Sequence, residues 1–506
     1  MDDAESIRLK FKNDPWLDNG LEYLYKILDD NFDQLDIDIK VNDQGLEILP
    51  SNRKTFPHQL GNVIINTRQN LVVWGEDKNG QKKEIKKDYV LVQERKKEDG
   101  KVQFKEDIFT NKSPNVINKI IELIYSDGNN KCILCGDNYS KAYKKLQQAS
   151  YPFVTKIKSM GGVRSYKDGE HYSFKEYFTD FCPKCYLLGI LVWADSGLIY
   201  RTFPGDKSYL FLPAMDTLKE LSEFKESYRY ILNPYRYSNV TTKSNNSAEN
   251  TPGEYSTILC FYERFFSEIQ ESSAYASRWN VLHIPFGPVK NIKFDSINLK
   301  QNISEVMKEL DDEDISVYGD ILKSLYFFND KPGASPVDWN ITWNIQEMMS
   351  EYFIKDNFRH FTRQLLPRKG GHVGFSKEGR EDLENLIYIW RWKQMGIPKE
   401  QLQTIKSVGN IIAIASNKNL RLFYKLDKTK NIKEFWDVLR EISRKTVSFE
   451  EKDQGKIKPT SLDQIVELTK TYENDWKEIR DLLIVYSSMY YSINSISTQK
   501  GGNTNE

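Results

Sequence analysis

The chain contains two pairs of cysteines, and each pair has the spacing Cys-x-x-Cys. This spacing lets both thiolates of one turn approach the same ion, and two such turns supply the four ligands of a tetrahedral metal site. With all four positions filled by protein there is no place for a reactive water molecule, so the predicted site is structural. The predicted ligands of a structural Zn²⁺ are Cys132, Cys135, Cys182 and Cys185.

The 46 residues between the two pairs make this site longer than a compact zinc ribbon. The alternative interpretation is therefore a set of redox-active or merely buried thiols. The remaining cysteine, Cys260, lies in the apolar run 258–262 and is predicted to be a core residue. Five cysteines in 506 residues do not indicate a disulfide framework.

The amino-terminal sequence lacks the basic-then-apolar pattern of a secretory signal. The longest apolar run, 186–194, is shorter than the roughly 18 residues that a membrane span requires. We therefore expect a cytoplasmic protein that does not contact a membrane.

The formal net charge is zero, with 72 basic and 72 acidic side chains, which excludes a polycation that coats nucleic acid through bulk charge. Locally, however, the segment 141–167 has seven basic residues and no acidic one. Basic groups pair with phosphates, and aromatic faces stack on bases. The predicted nucleic-acid contacts are Lys141, Lys144, Lys145, Lys156, Lys158, Arg164 and Lys167. The alternative is a solvated face whose aromatic residues belong to the core: Tyr143, Tyr151, Phe153 and Tyr166.

A second basic candidate lies in the carboxy-terminal half. Lys355, Arg359 and Arg363 are spaced four apart, which places them on one face of a predicted helix over 354–365. Pro367 ends that helix, and Arg368 and Lys369 continue as a basic loop. A helix that follows phosphates is one interpretation, and an ordinary amphipathic helix with exposed arginines is the other.

No catalytic residue is predicted. The five histidines are scattered, and neither a phosphate-binding loop nor a nucleophile elbow occurs. Consecutive carboxylates over 309–314 point around a helix end rather than converging on one ion. Two functions other than nucleic-acid recognition remain open, a metal-dependent nuclease and a zinc-stabilised adaptor that binds only protein.

Hydrophobic periodicity predicts an α+β protein, in which a mixed amino-terminal region with an inserted four-cysteine site precedes a mostly helical carboxy-terminal bundle. At about 150 residues per domain, the length favours roughly three domains. The predicted regions are an amino-terminal α+β region (1–130), a zinc module with a basic insert (131–186), a β-containing region (187–303) with a polar loop (237–254), a helical connector (304–375) and a helical bundle (376–506).

Within these regions the pattern predicts individual elements. Predicted helices are 17–28, 116–125, 432–443 and 462–493. Predicted strands or strand-rich segments are 6–11, 37–48 with a turn at 42–45, 71–74, 89–92, 186–203 and 279–294, and a further turn is predicted at 77–80.

The order of these features resembles a known family. The segment Asn13 to Gly20 leads an amphipathic helix, two CxxC pairs bracket a basic insert containing Tyr151-Pro152-Phe153, and a helical last third includes Leu422-Phe423-Tyr424 and Glu434-Phe435-Trp436. This is similar to the CXXC-CXXC family of CRISPR-associated proteins, the large subunit of type I-B Cascade. The resemblance extends over most of the chain.

The resemblance implies a non-catalytic subunit of a crRNA-guided complex. Such a subunit would recognise the protospacer-adjacent motif (PAM), help open the DNA duplex, stabilise the R-loop and recruit a separate helicase-nuclease. Its partners would be crRNA, target DNA, and the backbone, crRNA-endonuclease and small subunits. The carboxy-terminal bundle would be similar to the small subunit. In such systems guide pairing reads sequence, and protein reads a short flanking motif and the backbone.

Overall fold

The fold is described from a computed structural model. The described residues are 6–66, 71–72, 74–76, 82–84, 93–95, 101–104, 106–147, 149–153, 164–167, 170–173, 181–195, 197–203, 207–229, 252–268, 275–285, 293–330, 333–416, 420–446 and 460–501. The predictions for the turn 77–80, the strand 89–92, most of the polar loop 237–254, and Lys156 and Lys158 lie outside these residues. No described helix combines the length and the apolar character needed to cross a bilayer.

The described residues cluster into two compact units. Unit 1 comprises those within Met1–Val240 and Glu268–Asn298, and unit 2 comprises those within Thr241–Ser267 and Leu299–Glu506. Unit 1 mixes helices with small sheets, whereas unit 2 is mostly helical. The prediction of a mixed α+β protein with a helical carboxy-terminal region is thereby confirmed.

Unit 1 contains small antiparallel sheets. Its strands are β1 (Ile7–Lys10), β2 (Ile37–Asn42), β3 (Gly45–Pro50), β4 (Leu71–Val72), β5 (Trp74–Glu76), β6 (Lys82–Glu84), β7 (Gln93–Arg95), β8 (Lys101–Phe104), β9 (Asn130–Lys131), β10 (Asn138–Tyr139), β11 (Arg164–Lys167), β12 (Glu170–Ser173), β13 (Ile199–Phe203), β14 (Lys207–Ala214), β15 (Arg278–Pro285) and β16 (Lys293–Asn298). The largest sheet has the order β13-β14-β15-β16, and a three-stranded sheet has the order β1-β3-β2.

The helices of unit 1 are α1 (Pro15–Asp30), α2 (Phe32–Leu35), α3 (Phe56–Asn66), α4 (Ser113–Tyr125), α5 (Pro183–Leu191) and α6 (Leu218–Arg229). The predicted helix 17–28 is confirmed by α1, which begins two residues earlier because the Asp14 carboxylate accepts hydrogen bonds from the backbone N–H groups of Trp16 and Leu17. Pro15 occupies the first helical position, where its missing N–H costs nothing. The predicted hairpin is confirmed as well, since Asn42 pairs with Gly45 at the end of β2 and β3.

The first half of the segment 186–203 is helical, so the prediction of a β-rich stretch was wrong there and holds only for 199–203. Helix α5 covers its first part, a 3₁₀ turn follows at Val192–Ala194, and only β13 is a strand. The reason is that α5 is buried on every side, so its sequence carries no amphipathic period. A continuous apolar run of this length does not distinguish a buried helix from a buried strand.

Unit 2 is built mainly from helices. They are α7 (Glu254–Glu268), α8 (Gln301–Asp312), α9 (Trp339–Ile354), α10 (Phe358–Arg363), α11 (Lys377–Ile387), α12 (Gln401–Ala415), α13 (Arg421–Lys428), α14 (Ile432–Thr446), α15 (Thr460–Thr471) and α16 (Trp476–Gly501). A two-stranded sheet joins β17 (Leu325–Asn329) to β18 (Gly371–Phe375). The predicted helix 432–443 is confirmed by α14, whereas 462–493 is divided between α15 and α16.

The predicted helix over 354–365 is also divided, because α9 ends at Ile354 and α10 begins at Phe358. Asp356 between them has a positive φ of 54°, which an α-helix does not allow. Lys355 therefore does not share a helix with Arg359 and Arg363, and the predicted row of three basic residues is wrong as a helical face.

Candidate metal centre

The first cysteine pair lies in the turn between β9 and β10. The backbone N–H of Cys132 donates to the carbonyl of Asp137 over 2.9 Å, and the N–H of Gly136 donates back to the carbonyl of Cys132 over 2.9 Å. Gly136 adopts a φ of +74°, a conformation that glycine accepts without a Cβ clash. The turn therefore holds Cys132 and Cys135 on one side of a tight knuckle.

The second pair begins helix α5. Cys182 is the N-cap residue, its sulfur accepts from the N–H of Cys185 over 3.4 Å, and Pro183 occupies the first turn. Helix N-termini carry partial positive charge, which favours thiolates there. The local sequence Cys-Pro-x-Cys thus forms both the cap of a helix and half of a ligand set.

The two pairs converge although 46 residues separate them in sequence. The Sγ atoms of Cys132 and Cys185 lie 3.9 Å apart, and those of Cys135 and Cys182 lie 3.5 Å apart. All four sulfurs are within 4.8 Å of one another. A tetrahedral ion with metal–sulfur bonds of about 2.3 Å requires sulfur separations of about 3.8 Å, so the donor set fits one metal ion.

The sulfurs are enclosed and supported by backbone groups. Cys132, Cys182 and Cys185 are buried, and Cys135 is half-buried. The N–H of Cys182 donates to Cys132 Sγ over 3.3 Å, and the N–H of Asp137 donates to Cys135 Sγ over 3.4 Å. Such N–H groups stabilise negative sulfur and orient the ligands, the role that outer-shell partners have in metal sites.

The thiols also influence one another's ionisation. Contact with Cys135 lowers the pKa of Cys132, whereas contact with Cys132 raises the pKa of Cys182 and of Cys185. A metal ion must displace the protons that the raised pKa values retain. Metal affinity is therefore expected to fall as the pH falls.

Basic side chains lie beside the first knuckle. Lys12 Nζ donates to the carbonyl of Cys135 over 3.0 Å. Lys10 and Lys184 lie 3.4 and 3.6 Å from the carboxylate of Asp137. Four thiolates around a divalent ion leave a net charge of about −2, which nearby ammonium groups offset.

Helix α1 fixes the position of α5 and hence of the second pair. The indole N–H of Trp16 donates to the carbonyls of Ser150 and Gly189, both over 2.9 Å. A Cβ on Gly20 would lie 2.0 Å from the carbonyl oxygen of Leu188, so α1 and α5 touch backbone to backbone. The glycine and tryptophan of the Asn13–Gly20 segment therefore serve the packing around the centre.

The basic insert is described in part. Lys141 and Lys145 are exposed, whereas Lys144 forms an ion pair with Glu106 over 2.6 Å. Arg164 and Lys167 lie at the two ends of strand β11, which pairs with β12. Among the three lysines over 141–145, Lys141 and Lys145 are thus open to solvent.

The aromatic residues of the insert contact the protein itself. Tyr143 packs on Tyr186 with ring centroids 5.0 Å apart. Tyr151 is 8% exposed, and its hydroxyl donates to Asp14 over 2.6 Å. Phe153 lies edge-to-face on Phe294. These contacts favour the alternative in which the aromatic residues belong to the core.

In the second basic candidate most charges are paired within unit 2. Arg359 contacts the carboxylates of Asp427 and Asp481, each over 2.6 Å, and Arg363 lies 3.2 Å from Asp427. Lys355 pairs with Glu351 over 2.5 Å. These pairs favour a structural role for Arg359.

The two residues of the predicted basic loop differ in their surroundings. Arg368 donates to Gln364 over 3.3 Å, and Lys369 is exposed. The segment after Gly370 is strand β18 rather than a loop.

Sequence reasoning missed a buried ionic cluster in unit 1. Glu22 of α1 contacts both Lys225 (2.6 Å) and Arg229 (2.8 Å) of α6, and Asp195 contacts the same two cations. All four side chains are at most 2% exposed. Their sequence separations follow no period, so the only signal was a charged residue at an otherwise apolar helical position.

The acidic segment 309–314 ends helix α8, as predicted, and Glu309 pairs with Lys393 over 2.7 Å.

No model of a protein family matches this chain, and no curated protein matches it at a significant level. The resemblance described above therefore depends on the quoted residues alone.

Proposed function

We propose that this chain is the non-catalytic large subunit of a crRNA-guided type I-B Cascade complex, with a structural Zn²⁺ bound by its four cysteines. In that role it would recognise the PAM, assist duplex opening, stabilise the R-loop and recruit the helicase-nuclease. The partners are crRNA, target DNA and the other Cascade subunits. The proposal also places this subunit in the cytoplasm.

The observation that carries the proposal is the convergence of two CxxC knuckles that flank a basic segment of the sequence. The distances between the four sulfurs suit Zn²⁺, and a four-thiolate donor set is typical of structural zinc. The knuckles join residues on either side of the insert, so the metal would fix where Lys141 and Lys145 project. Phosphate contacts position a protein on nucleic acid without reading its sequence.

The pairing of charges refines which residues would contact phosphate. Lys141, Lys145 and Lys369 are exposed. Lys144 and Arg359 are engaged by carboxylates of the same chain. With a net charge of zero, the isolated chain would bind DNA weakly and gain most of its affinity from its partners.

The test replaces Lys141 and Lys145 together with glutamate in the assembled complex. We expect weaker target binding, and a plot of log affinity against log salt concentration whose slope is smaller by about 1.8, because each lost phosphate contact changes it by about 0.9. The matched control is Lys219→Glu, which replaces an exposed lysine on α6 that pairs with Glu223. Equal affinity and equal salt slope in the double variant and the control would contradict a DNA contact at the insert.

Two further experiments separate the proposal from its alternatives. Co-purification with a short, uniform RNA and several other subunits would exclude a protein-only adaptor. Magnesium- or manganese-dependent cleavage of labelled DNA, abolished by one carboxylate substitution, would establish a nuclease instead.

A further inference from the structure

A cavity of about 570 Å³ lies in unit 1 between the start of α1 and the sheet β14-β15-β16. Sites for small molecules usually measure roughly 300–1,000 Å³, so this space accommodates a ligand of nucleotide size. It is separate from the cysteine centre, since none of the four ligands lines it. Its polar and aromatic lining includes Phe11, Asp18, Asp216, Arg278, Asn280 and Phe294.

The sheet presents a regular polar row to this cavity. Asn280 of β15 is paired with Ser296 of β16, and Arg278, two residues before Asn280, lies on the same face of the strand. Asn280 is 7% exposed, yet within the described parts of the chain its side-chain amide makes no hydrogen bond. Because Asn280 lines the cavity, this amide is available to a ligand that offers a hydrogen-bond donor and an acceptor.

Opposite the sheet, the carboxyl group of Asp18 reaches the cavity from the first turn of α1. It is 4% exposed and accepts a hydrogen bond from the backbone N–H of Lys12 over 2.8 Å. Among the residues that the structure describes, none forms an ion pair with Asp18. Burial raises its pKa to about 7, so at neutral pH it can both donate and accept a hydrogen bond.

Simpler ligands leave part of this wall unused. An inorganic anion would meet the carboxyl group of Asp18, and an apolar molecule would leave Asp18 and Asn280 without hydrogen bonds. A metal ion could use the carboxyl oxygens of Asp18 and Asp216, but the guanidinium of Arg278 would repel it and the rings of Phe11 and Phe294 would have no part in its binding.

A nucleotide matches every part of the wall. Asparagine and carboxyl groups pair with the edges of bases, aromatic rings contact base faces, and arginine binds phosphate. Arg278 is exposed and also borders a second cavity of about 400 Å³, where Asp216 and Ser277 offer partners to sugar hydroxyls.

We infer that this cavity binds one nucleotide, with the base edge on Asn280 and Asp18 and the phosphate at Arg278. The nucleotide is either free or one residue of a single strand. The inference concerns the isolated chain and does not depend on assembly with a guide RNA.

The experiment measures binding of AMP and CMP to the full chain by calorimetry, with ribose 5-phosphate as the base-free probe. Wild type is expected to bind at least one nucleotide more tightly than ribose 5-phosphate. Asn280→Leu should weaken that binding about tenfold or more, because it removes the hydrogen bonds that the amide would make to the base. The matched control, Asn118→Leu on α4 outside the cavity, should bind as wild type does.

Arg278→Ala guards against a folding defect, since it removes an exposed side chain. This substitution should weaken the binding of AMP more than the binding of adenosine, because adenosine has no phosphate. Equal binding of AMP and ribose 5-phosphate, no binding of either nucleotide at millimolar concentration, or unchanged affinity in Asn280→Leu would each overturn the inference.

A single-stranded decamer separates the two sources of the nucleotide. If the decamer binds more tightly than AMP and Asn280→Leu abolishes that binding, the ligand is one residue of a single strand. If the decamer and AMP bind equally, the ligand is a free nucleotide. AMP binding without assembly into a guide-RNA complex would uphold this inference and contradict the proposed function. If the chain assembles into a guide-RNA complex and Asn280→Leu leaves the nucleotide affinity unchanged, the proposed function is supported and this inference is contradicted.

Discussion

The two units reach stability by different means. In unit 1 the sheets have between two and four strands, and four cysteines and a buried ionic cluster connect distant segments. In unit 2 the long helix α16 packs against α12, and Ile412 of α12 and Leu483 of α16 are both fully buried. A Cβ on Gly409 would lie 2.7 Å from that of Tyr486, so these helices approach closely.

The difference shows what small sheets require. Short strands bury little apolar area on their own, so in unit 1 the helices α1, α3, α4 and α5 contribute much of the apolar core, and specific cross-links join distant segments to it. Long amphipathic helices bury enough apolar surface by packing together. Perturbing a cross-link should therefore affect unit 1 selectively.

Removing one metal ligand should have the largest effect. Cys182→Ser is expected to abolish metal binding and to destabilise unit 1, because structural zinc contributes folding free energy on the order of 10 kcal/mol in small metal-dependent domains. Elemental analysis measures the metal, and hydrogen exchange compares α1 with α16.

The matched control is Cys260→Ala, which removes a buried cysteine of α7. It should retain the metal. An undiminished metal content in Cys182→Ser would disprove the four-cysteine centre, and equal loss of protection in both helices would contradict the selectivity.

The next largest effect is expected from the ionic cluster. Lys225→Met removes a cation that contacts both Glu22 and Asp195, and breaking a buried pair in this way costs about 3–5 kcal/mol. Lys219→Met on the same helix, where the side chain is 75% exposed, should change stability by no more than about 0.5 kcal/mol. Denaturant unfolding of the two variants measures both values. Equal midpoints would show that the cluster adds nothing to unit 1.

A pH-dependent effect is expected in unit 2. Glu263 of α7 is 6% exposed, and burial raises its pKa from 4.5 to about 8, although Tyr318 N–H donates to it over 2.6 Å. At a pH between 4.5 and about 8, the carboxyl group of Glu263 keeps its proton in the folded chain and releases it in the unfolded chain. Stability should therefore decrease as the pH rises through this window, by at most about 1.4 kcal/mol per pH unit.

Glu263→Gln removes this ionisation while preserving the shape of the side chain. Its stability should decline less than that of wild type from pH 5 to pH 8, as measured by denaturant unfolding at each pH. Parallel curves for the two proteins would rule out Glu263 as the source of the slope.

Local sequence predicted much of the fold and the metal ligands. The CxxC spacing identified all four cysteines, the apolar periodicity over 17–28 identified α1, and the turn at 42–45 marked a hairpin. Each depends on residues within a few positions of one another. Helix α5 was missed because burial on every side removes the periodicity that identifies a helix.

The sequence by itself determined the ligand set, the α+β class and the helical character of the last third. Only the tertiary structure decided which charges remain open to solvent, since Lys144 meets Glu106 across 38 residues and Arg359 meets Asp481 across 122. It also placed Asp18 opposite Asn280 around one cavity. Periodicity describes which face of an element is buried, whereas the partner of a side chain depends on how elements distant in sequence pack together.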